Sequence, residues 1–257
     1  MPPILVMLHG ANGSGETLLP LADALRPFAQ VEAPNLIGHG GRPVPERLSV
    51  PELADDVVAY LDRRQIARAF VFGYSFGGYL ALYLARHFPQ RLSGICLLAV
   101  KHVFDAQTVQ RWTNLADPER LRRPGNPRPA ELSRTHYPQD WAAITTINRH
   151  LFEELGTNPA LTEADLRSLA LPALIVSSDQ DQLVPLPETL ALGKLIQGSR
   201  VGIFSGQAHP LLACPIPALA NPIGTWLGEV EAAWNNAVWS LDGERTHGTS
   251  PGEDPPR

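Results

Sequence analysis

The sequence predicts an α/β architecture: a mostly parallel sheet of about six strands, helices on both faces and a helical insertion. Three observations carry that prediction. Short apolar runs of strand length alternate with segments whose apolar residues recur at helical spacing. The runs are apolar throughout rather than alternating with polar residues, the pattern of strands covered on both faces in a parallel sheet. Residues 101–170 then break the rhythm, with several short helical patterns and no strand, interrupted by Pro118, Pro124, Pro127, Pro129 and Pro138. An insertion of that length between two strands predicts a cap or lid.

The elements follow in chain order. Ile4 to Leu8 reads as a buried strand ending in His9-Gly10, and Leu18, Leu19, Leu21, Ala22 and Leu25 make a helical face that stops at Pro27. Gln30 to Ala33 is a weak second strand, followed by a loop to Pro43. Ser49 is placed to cap a helix with Pro51 in its first turn and Glu52 three residues on, a capping box; Leu53, Val57, Val58 and Leu61 form its apolar face. Ala69 to Phe72 is the third strand, and Gly77 to Phe88 is a helix stopped by Pro89. Leu92 to Val100, Leu171 to Ser177 and Arg200 to Phe204 complete the strands. Leu186 to Ile196 and Ile216 to Trp234 are the last helices. Residues 1–100 and 171–234 are thus expected to form the core and 101–170 the insertion. Residues 235–257, rich in Gly, Pro, Ser and charge toward the end, are expected to be a disordered tail.

Composition narrows the function. The chain has 257 residues, 44% of them hydrophobic and 18% charged, which is enough apolar material for one large core. A net charge of −5 offers nothing to nucleic acid or an anionic membrane. Two cysteines, Cys96 and Cys214, make no disulfide framework or metal pair, and Cys96 sits in an apolar run as a structural thiol would. No apolar run approaches a bilayer span, and the first residues lack a basic stretch and a long apolar core. A cytoplasmic location is expected.

The informative segment is Gly73-Tyr-Ser-Phe-Gly-Gly78, set between a strand-like and a helix-like stretch. A serine on a sharp strand-to-helix turn is lifted above the sheet edge, and small neighbours let the helix pack close to the strand. The helix that follows aims its dipole and free N–H groups at charge developing beside Ser75. The alternative reading is a structural turn. A hydroxyl needs a positioned base, and His209, in the loop after the last strand, emerges at the same sheet edge as Ser75. His247 lies in the tail, and His87 ends a helix. His102, His136 and His150 fall in the insertion, to line a pocket or face water, while His9 and His39 sit in Gly-rich loops. The base needs a carboxylate to hold its tautomer. Asp179 and Asp181 both follow the fifth strand, and both are also ordinary turn residues.

Nearly the whole ordered chain resembles the α/β-hydrolase superfamily, in its serine-nucleophile, esterase-like branch. The matching segments are Leu8-His9-Gly10, Ala33 to Gly40, Gly73 to Gly78, Asp181-Gln-Leu-Val-Pro185 and Ala208-His209. The resemblance implies Ser75, Asp181 and His209 as the catalytic residues, preferring Asp181 over Asp179. It also implies the N–H groups of Phe76 and Ala11 as an oxyanion hole, with Asn12 as the less favoured alternative to Ala11. It implies no cofactor or metal, and a small-molecule ester as substrate. Three departures stand out. Asn35 replaces a frequent aspartate. The sheet starts at the strand that usually comes third, giving six strands and not eight. Around Ser75 the sequence is similar to the lyase of menaquinone biosynthesis, but Tyr79 stands where that enzyme carries a basic residue.

The leading expectation is a serine hydrolase cleaving a small to medium carboxylic ester through an acyl-enzyme on Ser75. The alternatives are a lyase or C–C bond hydrolase using the same triad as a base, and a non-catalytic binding protein of the same fold. Phe104, Trp112, Tyr137, Trp141 and Phe152 are candidates for an aromatic pocket in the insertion or for its internal packing. Lys101 and His102, just after the fourth strand, are expected near the site mouth, to bind a polar group or to face solvent.

Overall fold

The computed structural model describes residues 2–209 and 215–245, with side chains to residue 236. The chain runs β1 (Ile4–Leu8), α1 (Leu19–Leu25), β2 (Gln30–Glu32), α2 (Val50–Arg63), β3 (Ala69–Tyr74), α3 (Phe76–His87) and β4 (Leu92–Leu98). Five helices then precede the next strand: α4 (Ala106–Leu115), α5 (Pro118–Leu121), α6 (Arg128–His136), α7 (Trp141–Thr157) and α8 (Glu163–Arg167). The chain finishes with β5 (Ala173–Ser178), α9 (Leu186–Leu195), β6 (Arg200–Phe204) and α10 (Ile216–Arg245). The six strands form one parallel sheet in the order β2-β1-β3-β4-β5-β6.

Alternation along each strand divides the core between the two faces, as the two-residue period of a strand requires. Val6, Leu8, Val71, Ile95 and Leu97 pack under α2, α3 and the insertion. Leu5, Met7, Phe70, Phe72, Cys96 and Leu98 pack under α1 and α10. Both faces being buried explains the unbroken apolar runs. The predicted capping box is present: Ser49 Oγ accepts the Glu52 N–H, and Glu52 accepts the Ser49 N–H at 3.0 Å. Such caps stabilise a helix by about 1 kcal/mol.

The differences from expectation have local causes. β3 continues through Gly73 and Tyr74 because both pair with β4, at Leu97 and Leu98. That extension brings Ser75 to the end of the strand. The last helix continues past Trp234 to Arg245, so residues 235–245 are helical and not a tail. Trp234 is anchored by its indole N–H to the Ser93 carbonyl at 3.1 Å and by the Arg68 guanidinium over its ring, and neither Gly nor Pro intervenes before Gly243. Residues 246–257 of the expected tail, and Cys214, lie outside the described residues. Cys96 is fully buried, and burial pushes its thiol pKa up. No helix among the described residues is long and apolar enough to cross a membrane.

Candidate active site

The strand order reverses between β1 and β3, since the chain goes from β1 outward to β2 and then returns to β3 on the other side. Loops leaving the carboxyl ends of the two strands diverge there and open a crevice, the usual ligand position in such sheets. His9 to Gly13 leave β1 at that point, and Ser75 follows β3 directly.

Ser75 sits in a strained backbone conformation, φ 53° and ψ −119°. Such a geometry costs of order 1–3 kcal/mol in a residue with a Cβ and persists only when its surroundings enforce it. Here the enforcement is visible. The Ser75 N–H is held by the Leu98 carbonyl at 2.8 Å, and the Ser75 carbonyl accepts the Gly78 N–H at 2.9 Å. A Cβ on Gly77 would fall 2.3 Å from the Leu8 carbonyl oxygen, so only glycine lets α3 sit against β1 at this point. Among the described residues no acceptor meets the N–H groups of Phe76 or Ala11, nor that of Asn12.

On the other flank, the loop after β5 presents Asp181, which is buried. Its Oδ1 accepts the Leu183 and Val184 N–H groups, both at 2.9 Å, and its Oδ2 accepts His209 Nδ1–H at 2.9 Å. Asp179, two residues earlier, does something else. It accepts the Gly206 N–H at 2.7 Å and the Ser205 hydroxyl at 3.1 Å, clamping the loop after β6; the Gly206 bond holds its carboxyl pKa below the usual range.

The structure therefore brings Asp181 and His209 together but forms no hydrogen bond between His209 and Ser75. With Nδ1 donating to Asp181, Nε2 is left as an acceptor, and it meets the hydroxyl of Tyr74 at 3.2 Å. The two rings stack, 5.5 Å between centroids and 20° between planes. Tyr74 also packs on Gly10, where a Cβ would come 3.2 Å from its ring. Burial and the Asp181 charge push the Tyr74 pKa up, so its hydroxyl stays protonated as a donor. The sequence reading passed over Tyr74; its only signal was adjacency to the serine.

The structure overturns the reading of Lys101 and His102 and decides between alternatives elsewhere. Lys101 is buried and ion-paired with Glu188 of α9, and the His102 N–H donates to the same carboxylate at 3.0 Å. Lys101 is thereby taken out of solvent and out of reach as a free cation. Phe104, Trp112 and Phe152 pack edge-to-face on one another and on Phe76 and Tyr79, so they hold the insertion to α3. Tyr137 is exposed, and Trp141 lies under Arg122. The Tyr79 hydroxyl accepts the Leu161 N–H at 3.2 Å within the core. Asn35 uses both ends of its amide, accepting from the Gly15 N–H at 2.7 Å and donating to the Gly40 carbonyl at 3.0 Å, the second of which an ionised aspartate cannot do.

The remaining histidines separate by environment. His150 is exposed, while His9, His39 and His136 are all buried. His9 donates Nδ1–H to the Gly10 carbonyl and accepts the Leu36 N–H; His39 donates to the Ile37 carbonyl and accepts from Asn148. Desolvation lowers their pKa values to about 4 and about 3, and lowers that of His136 as well. Asn148 was not anticipated. Its signal was present, a polar residue on the helical stripe of Ile144, Ile147, Leu151 and Leu155.

Comparison with known proteins agrees with this architecture. The sequence is 27% identical to a biotin biosynthesis bifunctional protein of Cellvibrio japonicus over 80% of this chain, which spans only 44% of that protein's length. It is 27% identical to a 2-hydroxymuconate semialdehyde hydrolase of Pseudomonas sp., covering 89% of this chain and 88% of that one. It is 29% identical to a pimeloyl-[acyl-carrier protein] methyl ester esterase of Neisseria meningitidis, over 79% and 70%. Among solved structures, the enol-lactonase of Burkholderia xenovorans superposes with a TM-score of 0.74 at 17% identity, over 89% of this chain and 92% of that one, a likeness of fold. The sequence profile of the alpha/beta hydrolase family matches residues 5–241, and the chain belongs to that family.

Proposed function

We propose that this chain is a serine hydrolase that cleaves a small to medium carboxylic ester through an acyl-enzyme on Ser75. The observation that carries the reading is the strained Ser75 turn at the same sheet edge as a hydrogen-bonded Asp181–His209 pair. His209 Nε2 leaves the Tyr74 hydroxyl, takes the Ser75 proton as Oγ attacks the carbonyl, and becomes an imidazolium stabilised by Asp181. Catalytic hydrogen bonds are often long or diverted before substrate binds, and in this reading the imidazole turns from Tyr74 to Ser75 in the reacting complex. The unpartnered N–H groups of Phe76 and Ala11 receive the tetrahedral oxyanion; each such donor is worth about 3 kcal/mol. His209 then returns the proton to the leaving alcohol, and water, activated by His209, releases the acid. The sequence as written uses no cofactor or metal. Residues 101–170, packed on α3 beside the nucleophile, act as the lid that sets which ester enters.

A second reading has one specific support, the relative named as a semialdehyde hydrolase, which matches along most of both chains. In it the same Ser75, Asp181 and His209 assist cleavage of a C–C bond. One experiment separates the readings. A fluorophosphonate should label the wild type once and leave Ser75→Ala unlabelled; with p-nitrophenyl esters of graded chain length, mass spectrometry should then find an acyl adduct on Ser75. Labelling that persists in Ser75→Ala overturns the nucleophile. Labelling without any ester turnover favours the second reading.

A further inference from the structure

The loop that carries Ala11 is gripped from above by the insertion. Asn12 adopts φ 57°, a left-handed conformation that asparagine takes more readily than most non-glycine residues, and it is held there by contacts from outside the loop. The contacts come from two different helices. His136, the last residue of α6, donates Nε2–H to the Asn12 carbonyl at 3.2 Å while its Nδ1 accepts the Gly40 N–H at 3.1 Å. Asn148 of α7 donates to the Asn12 side-chain oxygen at 2.8 Å and to His39 Nε2 at 2.9 Å. The tautomers are fixed throughout, since each ring nitrogen faces a partner that only donates or only accepts. All three side chains that make this grip (His39, His136 and Asn148) are buried, where hydrogen bonds hold geometry tightly and a missing partner is costly. By contrast, the turn itself supplies one backbone bond, from the Gly13 N–H to the Gly10 carbonyl at 3.1 Å.

We infer that His136 and Asn148 are positioning residues that set the Asn12 turn, and through it the aim of the Ala11 N–H at the oxyanion. The inference rests on the hydrolase reading for its kinetic consequence but not for the physical link between insertion and loop. A displacement of about 1 Å in such a donor is worth up to about 100-fold in rate, and it acts on the transition state more than on bound substrate.

The test uses two variants of one residue. His136→Asn keeps an acceptor for Gly40 but loses the reach to Asn12. His136→Gln places an N–H donor near the original Nε2 and loses the Gly40 bond. Using p-nitrophenyl butyrate, kcat of His136→Asn should fall 10- to 100-fold with KM within about threefold, and His136→Gln should recover most of that loss. Asn148→Ala, on a different helix, should likewise lower kcat more than it raises KM. Hydrogen exchange is measured on the same proteins, and residues 10–13 should exchange faster in His136→Asn and Asn148→Ala while β3 and α3 stay protected. Equal losses in the Asn and Gln variants, or unchanged exchange at residues 10–13, overturns the inference. Faster exchange in a protein with no Ser75-dependent turnover leaves the link standing and overturns the hydrolase reading instead.

Discussion

The histidine on one flank of the crevice and the three on the other differ in what stands behind the ring. His209 has a carboxylate at Nδ1 and a single weakly held hydroxyl at Nε2, and it is only partly buried. His9 and His39 are fully buried, with each nitrogen tied to a backbone group or, for His39 Nε2, to Asn148. An imidazole backed by a carboxylate gains stabilisation as it takes a proton; one surrounded by neutral partners in a desolvated site loses an acceptor bond instead. The same residue type is therefore suited to the proposed role of a base on one side and is a rigid strut on the other. Which role it takes is decided by partners and burial, and the loop it occupies says little.

The largest effect should come from removing the carboxylate. Asp181→Asn should lower kcat by about 10³- to 10⁴-fold, measured on an activated ester. Asp179→Asn should lower the midpoint of urea denaturation only slightly while leaving kcat within a few-fold. If Asp179→Asn proves the more damaging to turnover, the assignment of the acid is reversed.

Acid should act on the other flank. The folded state holds His9 and His39 neutral below their ordinary value of 6.5, down to about 4 and about 3, so the unfolded chain binds more protons across that interval. Stability from these sites is complete above 6.5 and is lost as pH falls toward 4 and below. The thermal midpoint should decline over that range, and a midpoint flat from pH 6.5 to 4 would contradict the buried, neutral state. The smallest effect belongs to Tyr74→Phe. Its hydroxyl occupies His209 Nε2 in the resting site, so its removal should change kcat on an activated ester by no more than the few-fold that one net hydrogen bond of about 1 kcal/mol is worth. A loss beyond about tenfold would make Tyr74 part of the reacting machinery.

Features encoded by neighbouring residues were legible. Strand cores, the Ser49–Glu52 box and the Gly73–Gly78 turn depend on residues a few positions apart, and the chain order of Ser75, Asp181 and His209 placed them on one sheet edge. Contacts spanning the chain were not. The bonds from Asn148 to His39 and Asn12, and from His136 to Gly40, exist only once the insertion has docked. Lys101 after β4 read as solvent-facing because its partner Glu188 lies on a helix beyond the whole insertion. The expected helix ended at Trp234, and the anchoring of Trp234 at Ser93 is a long-range contact that no local pattern announces.

The backbone at Ser75 also carries a historical consequence. A side chain is held there in a conformation that glycine alone adopts freely, so the framework around it is less stable than its own sequence allows. On the proposed reading, selection for chemistry is what opposes relaxation at this position. In a descendant freed from that selection, with Gly73, Gly77 and Gly78 still in place, the change to expect first is serine to glycine at 75, the mark of a fold retained after its reaction was abandoned.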